Sequence, residues 1–175
     1  PTDASYVLAC HLEDRTAVDR MRQLRGIDEK HLLTLLCQDL SELSQYAQVD
    51  NRQFRFLKEW TPGAYTFILP ATREVPRRLM HPSRKTVGLR VPEAPIVQAL
   101  LAELGVPLLC ASLILPGDED PLSDPDDIED RIGKRIDLLV DGGAGQLEAT
   151  SVIDVTGDEP VIQRVGMGPV EAMLR

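Results

Sequence analysis

Aromatic residues, cysteines and long apolar runs are all scarce in this chain of 175 residues. Aromatics make up 4% of it, so the core must consist mainly of Leu, Val, Ile and Ala. The three cysteines, Cys10, Cys37 and Cys110, are far apart and form no C-x-x-C pair. This spacing argues against a disulfide framework or a zinc site and favours buried, reduced thiols.

No segment approaches the ~20 apolar residues of a membrane span, and no secretory signal is recognisable. We therefore expect a cytoplasmic protein that does not enter a membrane. The length indicates one domain over residues 1–175 with a substantial core. Because the chain begins Pro1-Thr2-Asp3 without Met and enters an apolar run at once, we expect its N-terminus to be trimmed.

The net charge of −9 is unevenly distributed. Residues 117–130 hold eight of the 28 acidic residues and no base, which leaves 20 acids and 19 bases elsewhere. Residues 73–90 hold six bases and one acid, Glu74. This basic block could bind a polyanion such as RNA, or it could be ordinary solvated surface, as most charge runs are.

Strands alternate with helices along the chain, which favours an α/β fold. Capping signals support helices that begin after Asp39, Asp50 and Ala94 and end at Gly26 and Gly105. A predicted hairpin at residues 151–165 implies a mixed rather than a purely parallel sheet. The other predicted strands are 6–10, 32–37, 65–69, 86–91, 108–114 and 136–140. We also expect Phe54, Leu57 and Trp60, and the α-helical stripe Ile96, Val97, Leu100, Leu101 and Leu104, to face the core.

Several common catalytic motifs are missing. The chain has no Walker loop, G-x-G-x-x-G, H-E-x-x-H or G-x-S-x-G, its three histidines lack a metal-binding spacing, and the acidic segment has no EF-hand pattern. What remains is a set of hydroxyls and arginines at strand ends, which would form an anion-binding pocket if they converged. The strongest single signal is Arg90, which interrupts an apolar strand. It either lines an anion-binding cavity or belongs to a buried ion pair.

The order of short motifs resembles the YrdC/YciO family of threonylcarbamoyl-AMP synthases, and the chain looks most similar to the YciO branch. The similarity covers nearly the whole chain. Its motifs are residues 1–6 (PTDASY), 61–66 (TPGAYT), 87–92 (VGLRVP), 107–112 (PLLCAS), 150–154 (TSVID) and 163–166 (QRVG).

This resemblance implies a single-domain α/β fold, with a twisted mixed sheet and helices packed around a large basic cavity (the YrdC-like or DHBP synthase-like fold). It implies a nucleotidyltransferase reaction that makes threonylcarbamoyl-AMP from L-threonine, bicarbonate and ATP, with Mg²⁺ on the phosphates, for tRNA modification. Carried over by position, the nucleotide-binding residues would be Arg25, Thr34, Thr66, Arg90, Ser112, Thr150 and Arg164.

The chain also departs from the family pattern. Ile27, Ile114 and Pro116 stand where the family has polar residues, and a lost charge-assisted hydrogen bond costs about 1.5–3 kcal/mol. We therefore expect weak or divergent synthase activity. The alternative is a non-catalytic protein that binds double-stranded RNA or tRNA with the same cavity and with Arg77, Arg78, Arg84 and Lys85.

Overall fold

A mixed β-sheet of seven strands forms the centre of the molecule, and the computed structural model describes all 175 residues. The order across the sheet is β1-β5-β2-β4-β3-β6-β7. The pairs β2/β4 and β3/β6 are parallel and the remaining neighbours antiparallel, which confirms the predicted mixed sheet. The strands are β1 (Val7–His11), β2 (Thr34–Leu36), β3 (Tyr65–Pro70), β4 (Thr86–Arg90), β5 (Leu108–Ser112), β6 (Ser151–Asp154) and β7 (Val161–Arg164).

Five α-helices cover the sheet, and local signals fix most of their ends. They are α1 (Arg15–Arg25), α2 (Leu40–Tyr46), α3 (Asn51–Trp60), α4 (Pro95–Leu104) and α5 (Pro125–Ile132). Gly26 and Gly105 end α1 and α4 in the left-handed conformation that glycine adopts without steric cost. Asp50 and Gln53 form the full capping box at α3. At α2 the spacing of Asp39 and Glu42 predicts the same kind of box, and half of it forms. Asp39 accepts from the backbone N–H of Glu42, but the Glu42 carboxylate accepts from the backbone N–H of Gln38 instead of Asp39.

The two faces of the sheet have different chemistry. Successive residues of a strand point to opposite faces, so Leu35, Leu89 and Leu109 lie in the main core while their neighbours lie on the other side. On that other side, Thr34 is paired with both Gly88 and Cys110. Part of this second face is covered by α4, through Val97 and Leu101. The remainder is open and carries the polar residues described below.

One predicted strand is wrong. Residues 136–140 form no strand, although their composition is apolar. Ile136 and Leu139 pack against the core while Leu138 is exposed. This spacing of three does not match the period of two that a strand requires, and the segment pairs with neither edge of the sheet.

In α3 the buried face differs in part from the predicted one, and in α4 only part of the predicted stripe is buried. In α3, Phe54 is exposed, and Gln53 is buried in its place because its side-chain amide donates to the Val155 carbonyl at 2.8 Å. Leu57 is buried as expected, and Trp60 is half-buried. In α4, only Val97 and Leu101 of the predicted stripe are buried, and three of its members stay exposed: Ile96, Leu100 and Leu104. Separately, no helix has both the length and the apolar character needed to cross a membrane.

Candidate nucleotide-binding site

A cavity of about 280 Å³ lies on the polar face of the sheet. All seven strands, the end of α1 and the segments beside them contribute its walls. Every residue predicted to bind nucleotide lines this one cavity, namely Arg25, Thr34, Thr66, Arg90, Ser112, Thr150 and Arg164. Residues from seven separate stretches of chain therefore converge.

For Arg90 the sequence left two alternatives, a cavity wall or a buried ion pair. The side chain both lines the cavity and forms a buried ion pair. Its side chain is 3% exposed and its guanidinium donates to one carboxylate oxygen of Asp3. The second oxygen of Asp3 accepts from the backbone N–H of Glu93 at 2.8 Å, just before α4. The Nε of Arg90 is buried and has no partner within the protein. Asp3 thus fixes one side of this guanidinium, and the buried Nε–H remains without a partner.

A second polar group lies where β3, β6 and β7 meet. The hydroxyls of Thr66 and Thr150 are 2.8 Å apart. Arg164 reaches across from β7 and donates to the Thr150 carbonyl through Nε at 3.1 Å and Nη2 at 2.8 Å. These bonds hold the Arg164 guanidinium against the cavity wall while leaving its outer edge open to solvent.

Arg25 is the last residue of α1 and also lines the cavity. Its guanidinium donates to the Ile114 carbonyl at 2.5 Å, and its Nε is buried without a partner. Ile114, one of the departures from the family pattern, therefore supplies a backbone acceptor and an apolar wall. The other two departures also have packing roles, since Pro116 would lie 3.0 Å from a Cβ at Gly26 and Ile27 packs against the core.

The electrostatics of the cavity favour an anion. Three guanidiniums line it and no carboxylate does. Burial lowers the pKa of Arg25, Arg90 and Arg164, with Arg164 adding to the effect at Arg25 and Asp3 opposing it at Arg90. Arginine stays protonated despite such shifts, so burying these three charges carries a desolvation cost. An anion bound in the cavity would offset that cost.

Gly88 packs directly against two residues of the cavity lining. A Cβ built there would lie 2.9 Å from Thr34 Oγ1 and 3.2 Å from Thr66 Cγ2. Both neighbours line the cavity. The missing side chain at position 88 therefore allows Thr34 and Thr66 to take the positions from which they line the cavity.

Sequence reasoning missed two residues that matter here. Asp3 lies 87 positions from its partner Arg90, so no local pattern links them. Burying an arginine requires a counter-charge, and that requirement was the only available signal. His31, which looked like an ordinary surface histidine, lies at the mouth of the cavity.

The four residues predicted to bind RNA lie outside the cavity lining. Arg78 donates to the Leu12 carbonyl, Lys85 to the Pro82 carbonyl, and Arg84 to Asp154 at 2.8 Å. Arg77 is exposed. The RNA-binding surface would thus be distinct from the cavity rather than the same, and RNA binding through these residues stays a prediction.

The Arg84–Asp154 pair gives a prediction for stability in acid. Burial opposes ionisation of Asp154, but hydrogen bonds from Thr156 and Arg84 outweigh it and lower the pKa of this carboxyl. A lowered pKa in the folded state stabilises the protein above the unfolded value of about 4, and this contribution is lost as the pH falls through the folded pKa. We expect Asp154→Asn to be less stable at pH 7 and to lose less stability than the wild type below pH 4.

Urea denaturation, followed by Trp60 fluorescence between pH 2 and 7, measures the free energy of unfolding of both proteins as a function of pH. The control is Asp158→Asn, which removes an exposed carboxyl from the next loop. Parallel pH profiles for the wild type and Asp154→Asn would contradict the assignment.

Comparison with known proteins places this geometry in a family. A model of the Sua5, YciO and YrdC proteins, described as "Telomere recombination", matches residues 1–166. Escherichia coli "Uncharacterized protein YciO" is 52% identical over 174 residues, which cover 99% of this chain and 84% of the relative. The crystal structure of E. coli YciO superposes with a TM-score of 0.95 at 51% identity over 99% of this chain and 84% of that one.

More distant relatives carry an assigned activity. The threonylcarbamoyl-AMP synthase of Serratia proteamaculans is 28% identical over 167 residues, 93% of this chain and 87% of the synthase. The crystal structure of P. abyssi Sua5 complexed with L-threonine has a TM-score of 0.89 at 25% identity, covering 99% of this chain and 51% of that one.

The seven-stranded mixed sheet with an arginine-lined cavity defines an α/β protein of the YrdC-like fold. The chain belongs to the Sua5/YciO/YrdC family, and it is more similar to YciO than to the threonylcarbamoyl-AMP synthases named above.

Proposed function

We propose that this protein binds ATP and L-threonine in the cavity and forms threonylcarbamoyl-AMP weakly, or performs a closely related adenylation. The observation that carries the proposal is the convergence of three guanidiniums and four hydroxyls on one cavity that lacks carboxylates. The similarity to synthases, one of them solved with L-threonine, supports it.

The reaction would join the carboxylate on the nitrogen of N-carboxythreonine, which forms from L-threonine and bicarbonate with release of water, to the α-phosphorus of ATP. The new oxygen–phosphorus bond replaces the bond to the β-phosphate, and pyrophosphate leaves with its electron pair. Arg25 and Arg164 both line the cavity, so they can bind phosphate oxygens there and stabilise the charge that develops on the leaving group. No protein nucleophile is needed, because positioning and electrostatics perform the work.

The residues present do not form a protein-held magnesium site. No cluster of three or more His, Cys, Asp or Glu side chains in the molecule could hold a metal ion, and the carboxylate that contacts the cavity residue Arg90, that of Asp3, already accepts from Arg90 and the Glu93 backbone. A Mg²⁺ ion that accompanies the nucleotide would have the phosphate oxygens as its ligands. The contribution of this chain is then to hold the phosphates themselves.

Arg164→Ala tests the proposal. One charge-assisted hydrogen bond contributes about 1.5–3 kcal/mol, so we expect ATP to bind about tenfold more weakly or worse. Arg73→Ala is the matched control, because Arg73 is exposed and lies outside the cavity. Isothermal titration calorimetry measures binding, and mass spectrometry of reactions with ATP, L-threonine and bicarbonate detects threonylcarbamoyl-AMP.

Two results would count against the proposal in different ways. If the wild type does not bind ATP, or if Arg164→Ala binds it equally well, the cavity is not the nucleotide site. If ATP binds through Arg164 but no adenylate and no pyrophosphate form above a protein-free blank, the nucleotide site stands and the synthase reaction is excluded.

A further inference from the structure

His31 is exposed at the mouth of the cavity, in the segment between α1 and β2. It shares the cavity lining with Arg25 and Arg164. The backbone N–H of His31 donates to the Asp28 carbonyl at 3.3 Å, and Arg22 donates to the same carbonyl. The turn that carries the histidine is therefore fixed to α1 and holds the ring beside the two arginines.

The ring nitrogens of His31 make no hydrogen bond within the protein, unlike those of the other two histidines. Nδ1 of His11 accepts from the backbone of Glu13. Nδ1 of His81 accepts from the backbone of Arg84. Those rings complete local turns, whereas both nitrogens of His31 are available to a ligand.

The charges around His31 are mostly positive. Arg22 and Arg25 face it from α1, Arg164 from β7, and Asp28 is the one acid, from its own turn. Desolvation, followed by the charges of Arg25 and Arg22, lowers the pKa of His31, and Asp28 opposes the shift. In the free protein the lowered pKa therefore favours the neutral ring near pH 7. A bound polyphosphate would reverse the sign of the local potential and favour the protonated ring.

We propose that His31 is an additional phosphate-binding residue that acts in its protonated form, as a further cation beside Arg25 and Arg164. This inference rests on the proposed function, since it requires a polyphosphate in the cavity. The imidazolium N–H groups donate to phosphate oxygens at the mouth, and binding of the anion is coupled to the uptake of up to one proton.

The coupling has a definite sign. A group whose pKa is higher in the complex than in the free protein strengthens binding fully below its free pKa. That contribution disappears as the pH rises through the pKa of the complex. Affinity should therefore be greatest in mild acid. Each unit by which the complex raises the pKa of His31 corresponds to about a tenfold change in affinity.

The experiment measures the dissociation constant for ATP by calorimetry at pH 5.5 and pH 8.0 for the wild type and His31→Gln. Titration of ATP itself affects both proteins equally, so the comparison isolates His31. We expect His31→Gln to bind ATP about five- to tenfold more weakly than the wild type at pH 5.5 and equally well at pH 8.0. His11→Gln, at an exposed position outside this cavity, is the control and should match the wild type at both pH values.

A second readout does not depend on the affinity of a variant. The three histidines give three C2–H signals in the proton NMR spectrum, and His31→Gln identifies the one of interest. Saturating ATP should raise the pKa measured from that signal by about one unit. If the wild type and His31→Gln keep a constant affinity ratio and the signal does not shift, the role of His31 is overturned while the cavity remains the nucleotide site. If the wild type binds no ATP at any pH, both proposals fail.

Discussion

Asp3→Ala is expected to lower the free energy of unfolding by about 3–5 kcal/mol, the usual penalty for leaving one charge of a buried pair without its partner. The Arg90 side chain is 3% exposed and that of Asp3 12%, so water cannot replace the lost carboxylate. The same carboxylate also accepts from the Glu93 backbone, and its removal leaves a second donor unpaired. The single tryptophan, Trp60, reports unfolding in urea.

The double variant Asp3→Ala/Arg90→Met separates the ion pair from general damage to the core. Replacing both charges with apolar groups is often neutral or stabilising, so we expect the double variant to recover most of the lost stability. ATP binding should not recover, because Arg90 lines the cavity. If Asp3→Ala costs less than 1 kcal/mol, or if the double variant is less stable than the single one, the ion pair does not hold Arg90 in place.

Gly88→Val should abolish measurable ATP binding, with a loss of about a hundredfold or more. The new Cβ alone would lie 2.9 Å from Thr34 Oγ1 and 3.2 Å from Thr66 Cγ2, so the valine side chain would displace both of these cavity-lining residues. Overpacking of this kind costs about 1–3 kcal/mol of stability, a cost that β-branched valine partly offsets in a strand. The variant should therefore fold, and calorimetry should detect no heat of binding.

Gly157→Val is the matched control for this substitution. Gly157 lies in an exposed turn, and a Cβ there would meet only the Glu159 carbonyl at 3.9 Å. The Gly157→Val variant should therefore bind ATP with the same affinity as the wild type. If Gly88→Val is folded and binds ATP normally, nucleotide binding does not depend on the positions of Thr34 and Thr66.

Local signals in the sequence were enough to predict most of the secondary structure. Gly26 and Gly105 end their helices because only glycine adopts the left-handed conformation freely. Asp50 and Gln53 are close enough in sequence to identify a capping box without knowledge of the fold. The prediction fails where distant packing decides. The face that α3 buries depends on the hydrogen bond from Gln53 to Val155, 102 residues away. An apolar run such as 136–140 forms a strand only if it pairs with an edge strand of the sheet.

The hydroxyls and arginines of the candidate site could be predicted from the sequence, whereas Asp3 and His31 could not. The hydroxyls and arginines could be proposed because they recur at strand ends, but their convergence came only from the resemblance to a family with a known order of motifs. The unsatisfied charge of Arg90 required a partner without identifying Asp3. A lone histidine has no spacing that distinguishes a ligand from a surface residue, and the available ring nitrogens of His31 become evident only in three dimensions.

The closing hairpin has a consequence for biosynthesis. Thr150 reaches its place only when β6 pairs with β3, and Arg164 arrives with the final strand, at the far edge of the sheet. Because a chain emerges from the ribosome N-terminus first, the nascent protein has most of its hydrophobic core well before the cavity has all of its arginines. If the cavity binds ATP as proposed, incomplete chains would not sequester it.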